Sequence, residues 1–191
     1  MPIDEHEAVL RLQRGDINGL ETLVRAYQTR AVRCAFLVIQ DHAMALDVAQ
    51  AAFVKAYERI GGFDAGRPFG PWFLKSVLRD AIKAATTRAR TTPLEPLLDG
   101  ESGRVDLPDT DLGPEQLWEQ RELAQAVLIA LSDLPVAERA AIVQRYYLGL
   151  SEAEMAQASG SPRGTIKRRL HTARGKLRTL LQPLDPNSEM V

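Results

Sequence analysis

The chain has 191 residues, which fits one domain or two small ones, and its 45% hydrophobic and 26% charged residues are ordinary for a soluble globular protein. Its single cysteine, Cys34, excludes an intrachain disulfide. No apolar run is long enough to span a bilayer, and the acidic N-terminus is unlike a signal peptide, so we expect a cytoplasmic protein with no membrane insertion. The net charge of −1 would argue against nucleic-acid binding only if charge were spread evenly, which it is not.

Residues 1–90 are predicted to form a first helical domain. Apolar residues recur at helical spacing in two stretches that are separated by a break near Gln40 and Asp41. A loop rich in Gly and Pro follows over residues 61–71. Pro71 then begins a third amphipathic helix, which reaches about residue 90.

Residues 91–117 are predicted to form an acidic flexible linker, because they combine prolines with seven acidic residues against one arginine. Helices resume after it, and we expect them over residues 115–132, 135–148, 151–159 and 161–182. The second domain is placed at 118–182 and a fraying tail at 183–191. The expected fold is all-α, with two small helical domains.

The strongest local signal is a helix-turn-helix in the second domain. Ser151 and Glu154 form a capping box at the start of one short helix. Gly160 provides a turn residue that can adopt positive φ. Ser161 is then expected to cap the next helix, with Pro162 at its first position.

That next helix is strongly basic, since residues 161–181 contain seven Lys and Arg and no acid. With Ile166 and Leu170 facing inward, its N-terminal polar residues lie where a recognition helix meets base edges, and its later cations suit phosphate contacts. The predicted DNA-binding residues are Arg163, Thr165, Lys167, Arg168, Arg169, Arg174 and Arg178. The alternative is a solvated basic face on an ordinary helical hairpin, and the motif alone does not identify the kind of regulator.

Longer stretches carry a family resemblance that covers nearly the whole chain. GDINGLETLVRAY, DVAQAAFVKAYERIGGFD and RPFGPWFLKSV resemble the second conserved region of bacterial extracytoplasmic-function sigma factors. LSDLPVAERAAIVQRYYLGLSEAEMAQASGSPRGTIKRRLHTARGKL resembles their fourth region. The resemblance implies a subunit that directs core RNA polymerase to promoters and initiates transcription.

The resemblance also implies three sites. Asp47, Val48, Gln50, Phe53 and Val54 would dock on the clamp coiled coil of the polymerase. The second domain would read the minus-thirty-five promoter element and touch the polymerase flap. Melting and holding the minus-ten element would fall to Phe63, Arg67, Phe69, Trp72, Lys75, Arg79 and Lys83, a set whose aromatic and basic side chains suit an unpaired strand.

Some of these residues have a second interpretation, and some depart from the family pattern. Phe53 and Trp72 are of a type that more often packs in a core. Asp47 and Gln50 could equally be solvated helix positions. The family usually has an acidic residue where this chain has Ala51, which bears on core docking.

Arg79 and Lys83 are also departures, since they stand where the family commonly has Asn and Asp. They bear on the minus-ten sequence preference. Small sigma factors of this group are commonly held inactive by an anti-sigma factor, so we expect such a partner here.

Two other classes of protein are less consistent with the sequence. A stand-alone helix-turn-helix regulator would bind duplex DNA without polymerase, and it would not require the aromatic and basic segment 63–83. An enzyme is disfavoured because His6, His42 and His171 are scattered and Cys34 has no spaced base partner. We therefore expect no catalytic residues, no metal and no cofactor.

Overall fold

The structure, a computed structural model, describes residues 4–91 and 114–182. Contacts divide the chain into two compact units, Met1–Pro93 and Leu94–Val191. Every regular element within the described residues is helical, which confirms the predicted all-α fold. The predicted tail and most of the predicted acidic linker lie outside the described residues.

The described part of the first unit consists of α1 (Glu5–Gln13), α2 (Asn18–Ile39), α3 (His42–Arg59), a 3-10 turn (Ile60–Gly62) and α4 (Phe69–Thr91). The break expected near Gln40 and Asp41 is confirmed. Gln40 ends α2 in the left-handed region, with φ of 60°. The Asp41 carboxylate caps α3 by accepting a hydrogen bond from the backbone N–H of Met44 at 2.9 Å.

Helix α2 lies at the centre of this unit and contacts α1, α3 and α4. Its buried face includes Leu23, Cys34 and Val38, which meet Phe73 and Val77 of α4 in one core. Burying side chains of this size contributes roughly 1.5–3 kcal/mol each, so this core is the main source of stability for the unit.

Two ion pairs join α3 and its cap to α4. Lys55 Nζ lies 2.8 Å from Asp80 Oδ2, and an Arg88 guanidinium nitrogen lies 2.7 Å from Asp41 Oδ2. Both pairs are partly exposed, so each contributes at most about 1 kcal/mol. Their effect is to favour one register of α4 along α3.

The described part of the second unit consists of α5 (Pro114–Ser132), α6 (Val136–Ile142), a π-helical turn (Val143–Tyr147), α7 (Glu152–Ser159) and α8 (Arg163–Leu181). The helix expected over 135–148 is therefore an α-helix that widens into a π turn. Met155 of α7 and Ile166, Leu170 and Ala173 of α8 are fully buried together with Val143.

Arg139 is buried in this second unit, which is unusual for a guanidinium. It donates hydrogen bonds of 3.3 Å to the carbonyl oxygens of Leu131 and Ser132, at the C-terminal end of α5. Burial lowers the pKa of Arg139, because the charged form loses hydration. The positive charge at this helix end fixes α6 against α5. Across the described parts of both units, no helix has the length and apolar character needed to cross a membrane.

Candidate nucleic-acid interface

The helix-turn-helix forms as the sequence predicts. The Ser151 side chain accepts a hydrogen bond from the backbone N–H of Glu154 at 3.2 Å, and the Glu154 carboxylate accepts one from the backbone N–H of Ser151 at 2.9 Å. This reciprocal pair is the expected capping box. Gly160 ends α7 at φ of 61°, a conformation in which a side chain would be strained. The chain therefore turns sharply into α8.

The start of α8 differs by one residue from the prediction. Pro162 occupies the N-cap position and Arg163 is the first helical residue, so Ser161 lies one position too early to cap the helix. The backbone N–H of Thr165 bonds the carbonyl of Pro162 at 2.9 Å, which closes the first turn. The fixed φ of proline is compatible with this entry, and no side chain caps the helix.

Helix α8 has one buried and one basic face. Ile166, Leu170 and Ala173 pack inward. Of the predicted DNA-binding residues, five are exposed, whereas Thr165 and Arg169 are half-buried at the edge of the packed face. The five exposed residues are Arg163, Lys167, Arg168, Arg174 and Arg178. A row of cations of this length matches the charge of a duplex backbone.

Tyr146 is a residue of this face that sequence reasoning missed. It lies in the π-helical turn, is 63% exposed, and accepts a hydrogen bond from Nε of Arg174 at 2.9 Å. The Arg174 guanidinium also lies 5.7 Å from the centroid of the Tyr146 ring. A π turn changes which side of a helix its residues face, so helical periodicity does not place Tyr146 on this side. Arg174 lies 28 positions further along the chain, and no local pattern indicates that the two residues pair.

A second candidate site is an open pocket in the first unit, with a volume of about 700 Å³. It lies where the 3-10 turn, the following loop and the first turns of α4 meet. The rings of Phe63 and Trp72 are 4.7 Å apart between centroids. The residues that line the pocket are Arg59, Gly62, Phe63, Asp64, Arg67, Pro68, Pro71, Trp72 and Lys75. Aromatic and apolar walls beside three cations are suited to a base and its phosphate.

The aromatic residues predicted to contact DNA differ in exposure. Phe69 is 1% exposed and packs between Tyr27, Phe73 and Trp72, so it is a core residue. Phe63 is 8% exposed and lines the pocket. Trp72 is half-buried and lines the pocket. Phe69 thus supports the pocket from below, and Trp72 forms its wall.

Cations extend from this pocket along α4. Lys75, Arg79 and Lys83 are four residues apart, so they lie on one face of the helix. Arg79 and Lys83 are exposed, and Lys75 is half-buried where it lines the pocket. Arg67, also exposed, lies 3.7 Å from the Asp64 carboxylate. The predicted basic residues therefore form a continuous surface beside Trp72.

The predicted polymerase-binding residues on α3 also differ in exposure. Asp47 and Gln50 are exposed, Val48 is half-buried, and Val54 is 57% exposed. Phe53 is 8% exposed, with its ring 4.4 Å from that of Phe73 between centroids. It belongs to the core and is not available to a partner in this structure.

The exposed face of α3 also contains two large side chains that sequence reasoning did not select. Leu46 and Tyr57 are 37% and 47% exposed. With Val54 they form an apolar stripe on one helix face, which the exposed Gln50 interrupts and Asp47 borders. Exposed apolar side chains grouped on one helix face are typical of a protein-binding surface.

Three polar residues of α1 are part of the pocket's structure and were also missed. Glu5 accepts hydrogen bonds from the Tyr27 hydroxyl and from the backbone N–H of Phe69. Gln13 and His6 contact the carbonyls of the loop. Burial, together with the Glu5 carboxylate, raises the pKa of Tyr27 to about 12. The contacts that α1 makes with residues 60–69 span 47 to 64 positions, which no local pattern indicates.

Comparison with known proteins identifies the family. Residues 23–91 match Sigma-70 region 2, and residues 124–177 match Sigma-70, region 4. The RNA polymerase sigma-H factor of Pseudomonas aeruginosa is 31% identical over 183 residues, which cover 94% of this chain and 95% of that protein. The ECF RNA polymerase sigma-E factor of Haemophilus influenzae is 28% identical over 186 residues, covering 95% and 97%.

The chain is a sigma factor of the extracytoplasmic-function group. The family resemblance seen in the sequence is thereby confirmed. Sigma factors direct core RNA polymerase to promoters, and this is the function of the chain. The sigma factor RpoE of Bartonella quintana, solved in complex with the anti-sigma factor NepR, has the same fold. It superposes with a TM-score of 0.61 at 21% identity, over 85% of this sigma factor and 96% of that chain.

Proposed function

We propose that three surfaces of this sigma factor divide the work of promoter recognition. The basic face of α8 binds the minus-thirty-five element as duplex. The pocket beside Trp72, with the cations of α4, takes the minus-ten element as an unpaired strand. The apolar stripe on α3 docks on the clamp coiled coil of core RNA polymerase, and the second unit touches the flap.

The observation that carries the minus-ten assignment is the pocket beside Trp72. Duplex readers need a helix in the major groove and phosphate contacts, but they do not need an aromatic-walled pocket. A base removed from its stack loses a few kcal/mol, and a ring such as Trp72 can restore part of this by stacking. Lys75, Arg79 and Lys83 then follow the backbone of the same strand along α4.

The polymerase assignment is supported by the exposure of α3. Leu46, Val54 and Tyr57 present apolar surface that the described part of the first unit leaves uncovered. Gln50 lies within this surface and Asp47 lies beside it. Apolar side chains mixed with polar ones are the ordinary composition of protein interfaces. Phe53 contributes from beneath by supporting α3, and it is not itself a contact.

Transcription with purified components tests the proposal as a whole. Core polymerase, the full chain and a fragmented genomic template should give discrete transcription starts that core alone does not give. A chain that binds duplex DNA sequence-specifically but leaves core polymerase unable to start at defined sites would instead be a stand-alone regulator.

The docking surface is tested with Asp47→Arg combined with Gln50→Arg. Both positions are exposed, so the fold should survive, while two new cations against an interface should cost several kcal/mol and abolish co-elution with core polymerase. Glu21→Arg, an exposed acidic position on α2, is the matched control and should co-elute normally. Normal co-elution of the folded double variant would contradict the assignment.

Regulation by a protein partner is part of the proposal. The Bartonella quintana sigma factor that shares this fold was solved with an anti-sigma factor bound. We place the chain in the cytoplasm as a non-catalytic subunit, held inactive there by an anti-sigma factor that covers its DNA- and polymerase-binding surfaces. Affinity purification from uninduced cells should recover such a partner, and recovery of polymerase alone would count against it.

A further inference from the structure

Helix α1 contacts the pocket segment, residues 60–69, through three polar side chains. Nε2 of Gln13 donates to the carbonyl oxygens of Ile60 at 2.9 Å and Phe63 at 2.7 Å. Nδ1 of His6 lies 3.0 Å from the carbonyl oxygen of Ala65, and since a carbonyl can only accept, the imidazole donates. The Glu5 carboxylate accepts from the backbone N–H of Phe69 at 2.7 Å.

These hydrogen bonds are distributed over the whole segment. They reach the 3-10 turn, the residue that follows it, the middle of the loop and the first residue of α4. Backbone groups in a surface loop have few helix or sheet partners, so most of them need another acceptor or donor. Helix α1 provides several of those partners from one side, through Glu5, His6 and Gln13.

Helix α1 is itself held firmly in place. Val9 and Leu12 are buried, and a Cβ added to Gly19 of α2 would lie 2.8 Å from the backbone nitrogen of Leu12. That approach is closer than real Cβ atoms make, so only glycine permits it. Since α1 is fixed on α2, the loop hydrogen bonds define positions relative to the core of the unit and not only relative to a surface helix.

The bonded atoms lie next to the pocket-forming side chains. Gln13 holds the carbonyl of Phe63, whose ring is 4.7 Å from that of Trp72 between centroids. Glu5 holds the amide of Phe69, whose ring is 5.5 Å from that of Trp72. The two rings against which Trp72 packs therefore belong to residues whose backbones are bound by α1.

We propose that Glu5, His6 and Gln13 are positioning residues, which hold residues 60–69 in the shape that receives an unpaired base. This inference rests on the proposed minus-ten function of the pocket. A loop that must be ordered when the strand arrives loses conformational entropy at that step, and a loop already ordered by α1 does not. The three side chains touch no DNA; they act through Phe63 and Trp72.

Gln13→Met in the full chain, assembled with core polymerase, tests the inference. The probes are a promoter duplex from the transcription assay and a fork-junction DNA of the same promoter with the minus-ten strand unpaired. Loss of two hydrogen bonds at the loop should lower affinity for the fork junction roughly tenfold. Affinity for the duplex and assembly with core should stay unchanged. Gln28→Met, at an exposed position of α2, is the matched control.

A double-mutant cycle with Trp72→Ala separates positioning from general weakening of the fold. If Gln13 acts through the pocket, Gln13→Met should have little further effect once the Trp72 ring is gone, whereas independent effects would multiply. If Gln13→Met does not fold, His6→Ala provides the same test, because His6 is exposed and its loss leaves the core intact.

The outcomes distinguish this inference from the function on which it rests. A wild-type holoenzyme with no preference for the fork junction would overturn the minus-ten assignment, and the role of α1 with it. A wild-type preference that survives both Gln13→Met and His6→Ala would overturn the positioning role alone. Multiplicative losses in the cycle would also overturn it.

Discussion

Phe69 and Trp72 are three residues apart, and the sequence predicts that both contact DNA. In the structure they differ, so loss of the Phe69 ring should reduce stability and loss of the Trp72 ring should mainly reduce DNA binding. Phe69 is 1% exposed. Truncating a buried phenylalanine to alanine costs about 3–5 kcal/mol, from lost burial and from the cavity that remains. In a unit of this size, that should lower the melting temperature by roughly 12–40 °C. Phe69→Ala should therefore destabilise or unfold the first unit.

Trp72→Ala should behave differently because Trp72 is only half-buried and lines the pocket. Its stability cost should be clearly smaller than that of Phe69→Ala. Base–aromatic stacking is worth about 1–3 kcal/mol per base, so affinity for the unpaired minus-ten strand should fall roughly 5- to 150-fold. Trp72→Phe retains a ring and should recover part of this loss.

Two measurements check this pair of predictions. Thermal unfolding of the full chain followed by circular dichroism reports the stability of each variant. Permanganate footprinting of the holoenzyme on a promoter reports strand opening, and mobility shift on duplex DNA reports the closed complex. Trp72→Ala should lower opening more than closed-complex binding. If Phe69→Ala melts like the wild type and reduces opening as Trp72→Ala does, the division into core ring and contact ring is wrong.

Three further predictions concern single side chains. Arg168→Ala should lower the binding free energy for the cognate minus-thirty-five duplex by about 1–3 kcal/mol and relax the sequence preference. Arg174→Ala should weaken binding to all duplexes alike and reduce the salt dependence of log K by about one. Mobility shifts across a salt series measure both effects, and identical sequence-independent losses would show that the two arginines do not differ in role. Cys34 is fully buried, and this burial raises the pKa of its thiol to about 12. A thiol reagent should therefore label Cys34 only after denaturation, and rapid labelling of the native chain would contradict its burial. The hydrogen bond from the Met44 N–H, more than the Arg88 charge, holds the pKa of Asp41 below its ordinary value. The stabilisation that Asp41 provides is therefore complete above about pH 4 and is lost as pH falls through the lowered pKa. Wild-type stability should fall more steeply in acid than that of Asp41→Asn, and parallel curves of stability against pH would contradict this prediction.

Much of the chain could be interpreted from sequence because the signals are local. The break at Gln40 and Asp41, the capping box at Ser151 and the turn at Gly160 each depend on residues within about four positions of one another, which is the range of helix hydrogen bonds and caps. The basic face of α8 follows from helical periodicity once its buried residues are recognised. The error at the start of α8 was a shift of one residue, within the range over which helix ends vary.

Only the tertiary structure decided which aromatic side chains are accessible and what orders the loop beside them. Phe53, Phe63, Phe69 and Trp72 are all aromatic, and their exposure depends on how α2, α3 and α4 pack. The hydrogen bond from the Phe69 N–H to Glu5 joins residues 64 positions apart. A polar side chain on α1 shows the same local pattern whether it faces solvent or a distant loop, because periodicity records the face of a helix and not the identity of the element that covers it.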